Sequence, residues 1–215
     1  LGTIFTVFAA SFPAYAFTRN EYWGRKFFYR FVVVTMYFSA GLIPLFLTYR
    51  TIGIYNTFWV YIIPGIVTPF NLILCKTYIE SLPASLEESA EIDGAGYLVR
   101  YFRLILPLSK PILATVSVFS AVGQWNNWMD TVLYTKDKSL QTLQYVLYRY
   151  LNEANTLAEI AREDPSAMNA DLATQLSPLT IKYTISIVTI LPILLVYPFF
   201  QKYFVKGTMI GAVKG

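Results

Sequence analysis

Long apolar stretches alternate with polar ones along this chain. Each apolar stretch is close to the roughly 20 residues that a helix needs to cross the hydrocarbon of a bilayer. The pattern therefore predicts transmembrane helices, which we place at about 1–18, 27–48, 54–79, 111–134 and 181–204. Two longer polar segments, 80–110 and 135–180, interrupt the series and are expected to lie outside the membrane.

The composition agrees with an all-α membrane protein. Hydrophobic residues make up 55% and charged residues only 14% of the 215 residues, which is too apolar for a soluble domain of this length. We predict a single transmembrane domain over 1–215. The sequence opens at Leu1 inside an apolar run, without an initiator Met or a recognisable signal peptide, so we expect an upstream segment to be missing. The single cysteine, Cys75, excludes an internal disulfide and a cysteine-based zinc site.

The positions of Lys and Arg orient the predicted helices, because cytoplasmic loops are enriched in positive charge. The loop 19–30 carries four basic residues against one acid, and the C-terminal tail carries lysines and no acid. Both are predicted to be cytoplasmic, which also places 80–110 in the cytoplasm. The segment 135–180, with six acids against four basic residues, then lies outside the cell. These topology signals account for the net charge of +4, and no nucleic-acid partner is expected.

A line of polar side chains follows the fourth predicted helix from Ser117 to Thr131, at spacings of three and four. This face should look at protein or water, because an unpaired polar group is costly in hydrocarbon. It can be hydrogen-bonding glue between helices or the lining of a solute pathway, and both interpretations stay open. The candidates for lining a pathway are Ser120, Gln124, Trp125, Asn127 and Thr131.

The segment 80–110 has the pattern of two short helices joined at a bend. Ser85 and Glu88 form a capping-box pattern that starts the first helix. Gly94, with a second glycine two residues later, supplies the left-handed or tight backbone that ends it, and Pro107 is expected to stop the second helix. The apolar side of this pair has no lipid to face, so we predict that it docks into a groove on another protein. The alternative is an amphipathic hairpin on the membrane surface.

The run Glu-Ser-Ala-Glu-Ile-Asp-Gly-Ala-Gly at 88–96, followed by Leu106 and Pro107 and then Pro111, resembles the EAA motif of permease subunits in binding-protein-dependent ABC importers. The chain departs from the motif at Ser89, where the family has Ala. The resemblance extends to the carbohydrate-uptake branch, including the shorter permease of the maltose-type heterodimer and permeases of complex-oligosaccharide systems. The further segments that carry it are 14–19, 53–57, 125–128 and 203–215.

The resemblance implies the bundle of a type I ABC importer permease in the inner membrane of a bacterium. Such permeases typically have six transmembrane helices, so five are expected here and the first is missing. The first helix of 80–110 is then a coupling helix in a cleft of an ATPase subunit, and the tail 207–215 approaches the ATPase interface. The matched coupling residues are Glu88, Ser89, Ala90, Asp93, Gly94, Ala95, Leu106 and Pro107.

The resemblance also implies a set of partners. They are a second permease subunit in a heterodimer, two cytoplasmic ATPase subunits that bind ATP and Mg²⁺, and an extracytoplasmic binding protein that delivers a carbohydrate. This chain contains no Gly-x-x-x-x-Gly-Lys-Ser/Thr phosphate loop, and we expect it to bind no cofactor or metal. The segment 135–180, which has helical composition over 139–161, is expected to contact the binding protein, or otherwise to cap the bundle.

Other functional classes fit the residues less well. An ion-coupled secondary transporter usually shows inverted repeats or ionisable residues near the bilayer midplane, and this chain shows no obvious repeat and few central charges. A membrane enzyme needs a catalytic constellation, and a chain without His cannot build Ser-His or His-zinc chemistry. We expect no catalytic residue. A permease of the same importer type for a non-sugar solute remains the alternative.

Overall fold

The computed structural model describes residues 1–163 and 178–212, and within these ranges the chain forms helices and connecting turns without a strand. The helices are α1 (Gly2–Thr18), α2 (Arg25–Thr35), α3 (Leu42–Thr51), α4 (Pro69–Glu80), α5 (Ala84–Ile92), α6 (Tyr97–Leu108), α7 (Lys110–Trp125), α8 (Met129–Tyr134), α9 (Leu143–Glu163) and α10 (Pro178–Ala212). Part of 135–180, and the end of the tail 207–215, lie outside the described residues.

Helix α1 lies at the centre of the packed helices, against α4 and α7. Ala10 and Ala14 are one turn apart on the same face and are almost completely buried. Small side chains at this spacing let neighbouring helices approach closely, which is how membrane helices commonly pack. Leu72 and Cys75 of α4 and Val116 of α7 are buried in the same core.

The predicted helix over 27–48 is not continuous. Residues 36–41 separate α2 from α3, and Gly41 has a φ of +82°, a left-handed conformation that a helix cannot include. Pro44 stands in the first turn of α3, where its missing N–H leaves no helical hydrogen bond unmade. The sequence pattern missed this break because the apolar side chains continue through it.

The third predicted helix is bent by 45° between a pair of 3₁₀ turns, Phe58–Tyr61 and Ile63–Gly65, and α4. Pro69 is the first residue of α4, so it begins a helix rather than interrupting one. The carbonyl of Gly65, freed by the bend, accepts a hydrogen bond of 3.0 Å from the Thr6 hydroxyl. A neighbouring helix thus satisfies the broken backbone, as a membrane interior requires.

The fourth predicted helix also ends early, and this corrects the continuous polar face expected over 117–131. Helix α7 stops at Trp125, and α8 begins only at Met129. Asn127 Oδ1 accepts from the Asp130 backbone N–H at 3.2 Å. Such local side-chain bonds favour turns over helix, which explains the break at the two asparagines.

Among the described residues, α10 holds the helix that is long and apolar enough by itself to cross a membrane, over Thr180–Phe199. The bent pairs Phe58–Glu80 and Tyr97–Trp125 pass the same criterion only if each is one span, and α1 is apolar but has 17 residues. The number of five spans therefore stays a prediction. Pro192 lies inside α10.

Candidate coupling site and solute cavity

Helix α5 begins one residue before the predicted capping box. Pro83 precedes its first turn, and its carbonyl accepts the first backbone hydrogen bond, from Leu86, while no side chain caps the helix. Ser85 lies inside the first turn, where its carbonyl accepts from the Ser89 hydroxyl at 2.8 Å. The capping-box prediction is therefore wrong, although a helix does form where it was expected. The proline before the first turn starts the helix at Ala84 and leaves Ser85 two positions too late to cap.

The C-terminal end of α5 has the backbone that the glycine pattern predicts. Gly94 has a φ of +78°, in the left-handed region that glycine adopts without steric cost. The Ala95 N–H donates to the Ala90 carbonyl and the Gly94 N–H to the Glu91 carbonyl, both at 2.9 Å. This pair of bonds is a Schellman motif, which satisfies carbonyls that the end of a helix otherwise leaves free.

Pro107 does not stop the second helix. Residues Tyr101–Ile105 form a π turn, and α6 continues through Pro107 to Leu108. A proline removes one backbone donor and displaces the carbonyl four residues earlier, and a wider turn accommodates both. The chain then turns by 78° at the buried Ser109 into α7.

The matched coupling residues form a largely exposed face on this pair of helices. Glu88, Ser89, Asp93, Gly94 and Pro107 are exposed, whereas Ala90, Ala95 and Leu106 are half-buried. Beside them, Ile92 is 87% and Leu98 60% exposed. Exposed apolar patches occur where a protein binds a partner or lies against lipid, so this face is compatible with docking, and the membrane-surface alternative stays open. The coupling role of each residue stays a prediction.

Behind this face lies a charged cluster that the sequence pattern did not reveal. Glu87 Oε1 accepts a hydrogen bond of 2.8 Å from the Tyr15 hydroxyl and forms an ion pair with Arg19 Nη1. Arg100, buried on α6, bonds to Glu91 Oε2 at 2.8 Å. Burial acts to lower the pKa of Arg100, but the hydrogen bond and the nearby acidic charges outweigh it and raise that pKa. Arg100 therefore remains a cation inside the protein.

A cavity of about 450 Å³ lies between α1, α4 and α7, and three of the five predicted path residues line it, namely Ser120, Gln124 and Asn127. Residues that the sequence pattern missed complete the lining. They are Thr6, Gly65, Thr68, Phe70, Asn71, Phe119 and Gly123. The lining combines neutral amides and hydroxyls with the faces of Phe70 and Phe119, each 49% exposed. Asn71 inside an apolar stretch is the signal that could have pointed to α4.

The family model described as the binding-protein-dependent transport system inner membrane component matches residues 2–210. The chain belongs to this family. The resemblance inferred from the EAA motif is thereby confirmed, and so is the all-α permease fold. This permease is accordingly an inner-membrane component of a transport system.

Three relatives of this permease, YtcP, LplC and GanQ, are proteins of Bacillus subtilis (strain 168). The polygalacturonan/rhamnogalacturonan transport system permease protein YtcP is 39% identical over 218 residues, which cover 100% of this chain and 73% of YtcP. Protein LplC is 38% identical over 215 residues, which cover 100% of this chain and 70% of LplC. The galactooligosaccharides transport system permease protein GanQ is 31% identical over 217 residues, which cover 98% of this chain and 69% of GanQ.

A solved structure resembles this permease in three dimensions. It is the crystal structure of a bacterial ABC transporter involved in the import of the acidic polysaccharide alginate. One of its chains is 32% identical to this one and superposes with a TM-score of 0.74, covering 94% of this chain and 71% of that chain. The two chains therefore share both family and fold.

Two predicted path residues of this permease lie away from the cavity. Trp125 lines a separate apolar pocket with Pro192, on the α10 side of α7. Thr131 is 3% exposed and shares hydrogen bonds with the hydroxyls of Tyr61, at 2.8 Å, and Thr142, at 3.0 Å. Both side chains connect neighbouring elements, which is the interhelical bonding role that the sequence analysis gave as the alternative to a solute pathway. The five predicted path residues thus divide into three that line the cavity and two that make packing contacts.

Proposed function

We propose that this permease carries an oligosaccharide across the bacterial inner membrane, delivered by an extracytoplasmic binding protein and driven by ATP hydrolysis in separate subunits. The observation that carries the proposal is the cavity lining. Exposed phenyl rings beside amides and hydroxyls suit a sugar, whose ring faces are apolar and whose edges carry hydroxyls. YtcP is named for polygalacturonan/rhamnogalacturonan transport and GanQ for galactooligosaccharide transport, and both names support the same class of solute.

The lining also favours one mode of recognition. The residues around the cavity in the described part of the chain carry no charge, so they match hydroxyls rather than carboxylates. The relatives include a permease named for polygalacturonan and a chain from an importer of the acidic polysaccharide alginate. If the solute is acidic, its carboxylates would be matched by the second permease or the binding protein, while this chain holds the neutral edges.

The proposed partners follow from the exposed faces. One of the two ATPase subunits, which hold ATP and Mg²⁺, docks on the face around Glu88 and Ile92, and a second permease completes the pathway. The binding protein meets the outer segment that contains α9. This chain supplies no catalytic group and no metal ligand, and its C-terminus is cytoplasmic.

The test is reconstitution of the whole complex in vesicles. We expect ATP hydrolysis to rise when the loaded binding protein is added, with uptake of oligosaccharides from a panel of galacturonan, galactan and arabinan fragments. Uptake of a peptide or an amino acid instead of any sugar would assign the permease to another solute class. Uptake driven by an ion gradient without ATP would contradict the importer mechanism.

A further inference from the structure

The carboxylate of Glu87 connects the coupling helix α5 to two other elements. Tyr15 and Arg19, which donate to Glu87 Oε1, stand in the last turn of α1 and directly after it. Arg100 Nη1 of α6 lies 4.0 Å from the same oxygen and holds Glu91 at the end of α5. The single oxygen Glu87 Oε1 is therefore a meeting point of α5, α1 and α6.

These side chains are enclosed, unlike the rest of the acidic face of α5. The side chain of Glu87 is 12% exposed and that of Arg100 is 5% exposed, whereas that of Glu91 is 61% exposed. An enclosed ion pair is a weak source of stability, because the loss of hydration offsets much of the attraction between the charges. Charge-assisted hydrogen bonds are directional, however, and they fix the position of one helix on another.

Helix α1 leads from Glu87 to the solute cavity. It is helical from Gly2 to Thr18, so Tyr15 and Thr6 are about 13 Å apart along its axis at 1.5 Å per residue. Thr6 lines the cavity and donates to the Gly65 carbonyl at 3.0 Å. Halfway between, the hydroxyls of Ser11 and Tyr101 share a buried hydrogen bond of 2.8 Å. Helix α1 thus has specific polar contacts at both of its ends and in the middle.

We propose that Tyr15, Arg19 and Glu87 form a joint through which a displacement of α5 moves α1 and, with it, the cavity wall at Thr6. We call these three residues the Glu87 joint. Its members are positioning residues, because they are not among the residues that line the solute cavity and they act through α1. The inference rests on the proposed function, since it requires an ATPase that moves α5.

The experiment uses the complete complex with a reporter thiol in the cavity, Ser120→Cys, whose alkylation on this chain is followed with and without ATP and vanadate. The native Cys75 is fully buried, so the added thiol is the accessible one. We expect ATP to change the alkylation rate about fivefold or more in the reporter background. Arg19→Gln and Glu87→Gln should abolish most of that change while the ATPase subunits stay bound and hydrolyse ATP.

The double variant Arg19→Gln with Glu87→Gln distinguishes the loss of one shared contact from a general loss of protein stability. Because both residues act through one contact, the double variant should behave like either single variant. Tyr15→Phe removes only the hydroxyl donor and keeps the ring, so it should reduce the ATP response partly. If the glutamine variants fail to assemble, an unchanged response in Tyr15→Phe overturns the proposal by itself.

The matched control is Glu80→Gln. Glu80 also forms an ion pair, with Lys76 at 2.5 Å, but both residues lie on α4, so this pair joins no two elements. Its loss should leave the ATP response intact. A full ATP response in Arg19→Gln and Glu87→Gln, or an equal loss in Glu80→Gln, would overturn the joint.

The readout also separates this inference from the proposed function. An ATP response at Ser120→Cys that depends on Glu87, in a complex that takes up no sugar, would support the joint and refute the carbohydrate assignment. Sugar uptake together with an ATP response that is unchanged in Glu87→Gln would support the carbohydrate assignment and refute the joint.

Discussion

The indole N–H of Trp125 donates a hydrogen bond of 3.0 Å to the backbone carbonyl of Thr189. It connects the end of α7 to the middle of α10, beside the pocket that contains Pro192. In an apolar interior a tryptophan N–H needs such a partner, and the carbonyl here belongs to another helix. The side chain next to it in sequence, Gln124, faces the cavity instead, so two consecutive residues serve different purposes.

Trp125→Phe should therefore lower stability without changing solute affinity. The substitution keeps an aromatic ring but removes the donor, at a cost of about 1 kcal/mol. Thermal unfolding of the purified complex measures this loss. Trp23→Phe is the control, because Trp23 is 91% exposed and should have little effect. A raised half-saturating solute concentration in Trp125→Phe would instead place Trp125 in the pathway.

Gln124→Leu should weaken solute recognition and leave assembly intact. The loss of one neutral hydrogen bond of about 1 kcal/mol corresponds to about a fivefold increase in the half-saturating solute concentration. Uptake measured over a range of solute concentrations tests it. Ser117→Ala is the matched control, since the Ser117 hydroxyl donates to the Leu113 carbonyl of its own helix and does not line the cavity. Equal kinetics for the two variants would argue against a path role for Gln124.

Gly94→Val should impair coupling through backbone strain. A Cβ at this position meets nothing within 4 Å in this chain, so space is not the constraint. The constraint is the positive φ, which costs a non-glycine residue about 1–2 kcal/mol. We expect transport to fall while the chain still enters the membrane. Uptake and membrane content are measured together.

Two variants distinguish strain from steric fit at Gly94. Gly94→Asn should be milder than Gly94→Val, because asparagine tolerates left-handed backbone. Gly96→Ala should be nearly neutral, since Gly96 has a φ of −66° and open space around it. If Gly94→Asn is as harmful as Gly94→Val, close contact with the ATPase is the dominant constraint at this position.

Asn56→Ala should loosen the outer end of the helices. Asn56 has a φ of +55°, and its Oδ1 accepts from the backbone N–H groups of Lys136, at 2.6 Å, and Asp137, at 2.9 Å. Removal of this acceptor leaves both amides without it, so their hydrogen exchange should accelerate. Asn56→Asp keeps an acceptor and should retain slow exchange. Equal exchange in the two variants would show that the side chain does not hold this junction.

Local chemistry made the end of α5 predictable, whereas side-chain contacts between distant residues were not. Gly94 could be identified because a helix end needs a left-handed residue wherever it occurs. The polar line over 117–131 was extended too far, because helical spacing assumes a continuous helix and Asn127 bonds within a turn instead. Arg19 and Glu87 each had a sufficient local explanation, as a cytoplasmic charge and as an acid near a helix start. Nothing local indicated that they form a pair.

The 78° turn between α6 and α7 places the coupling face at a steep angle to a helix that lines the cavity. Because α7 is expected to cross the membrane, α6 would extend from its cytoplasmic end nearly parallel to the membrane surface. A sideways displacement of α6 would then rotate α7 about its own axis instead of moving α7 along that axis.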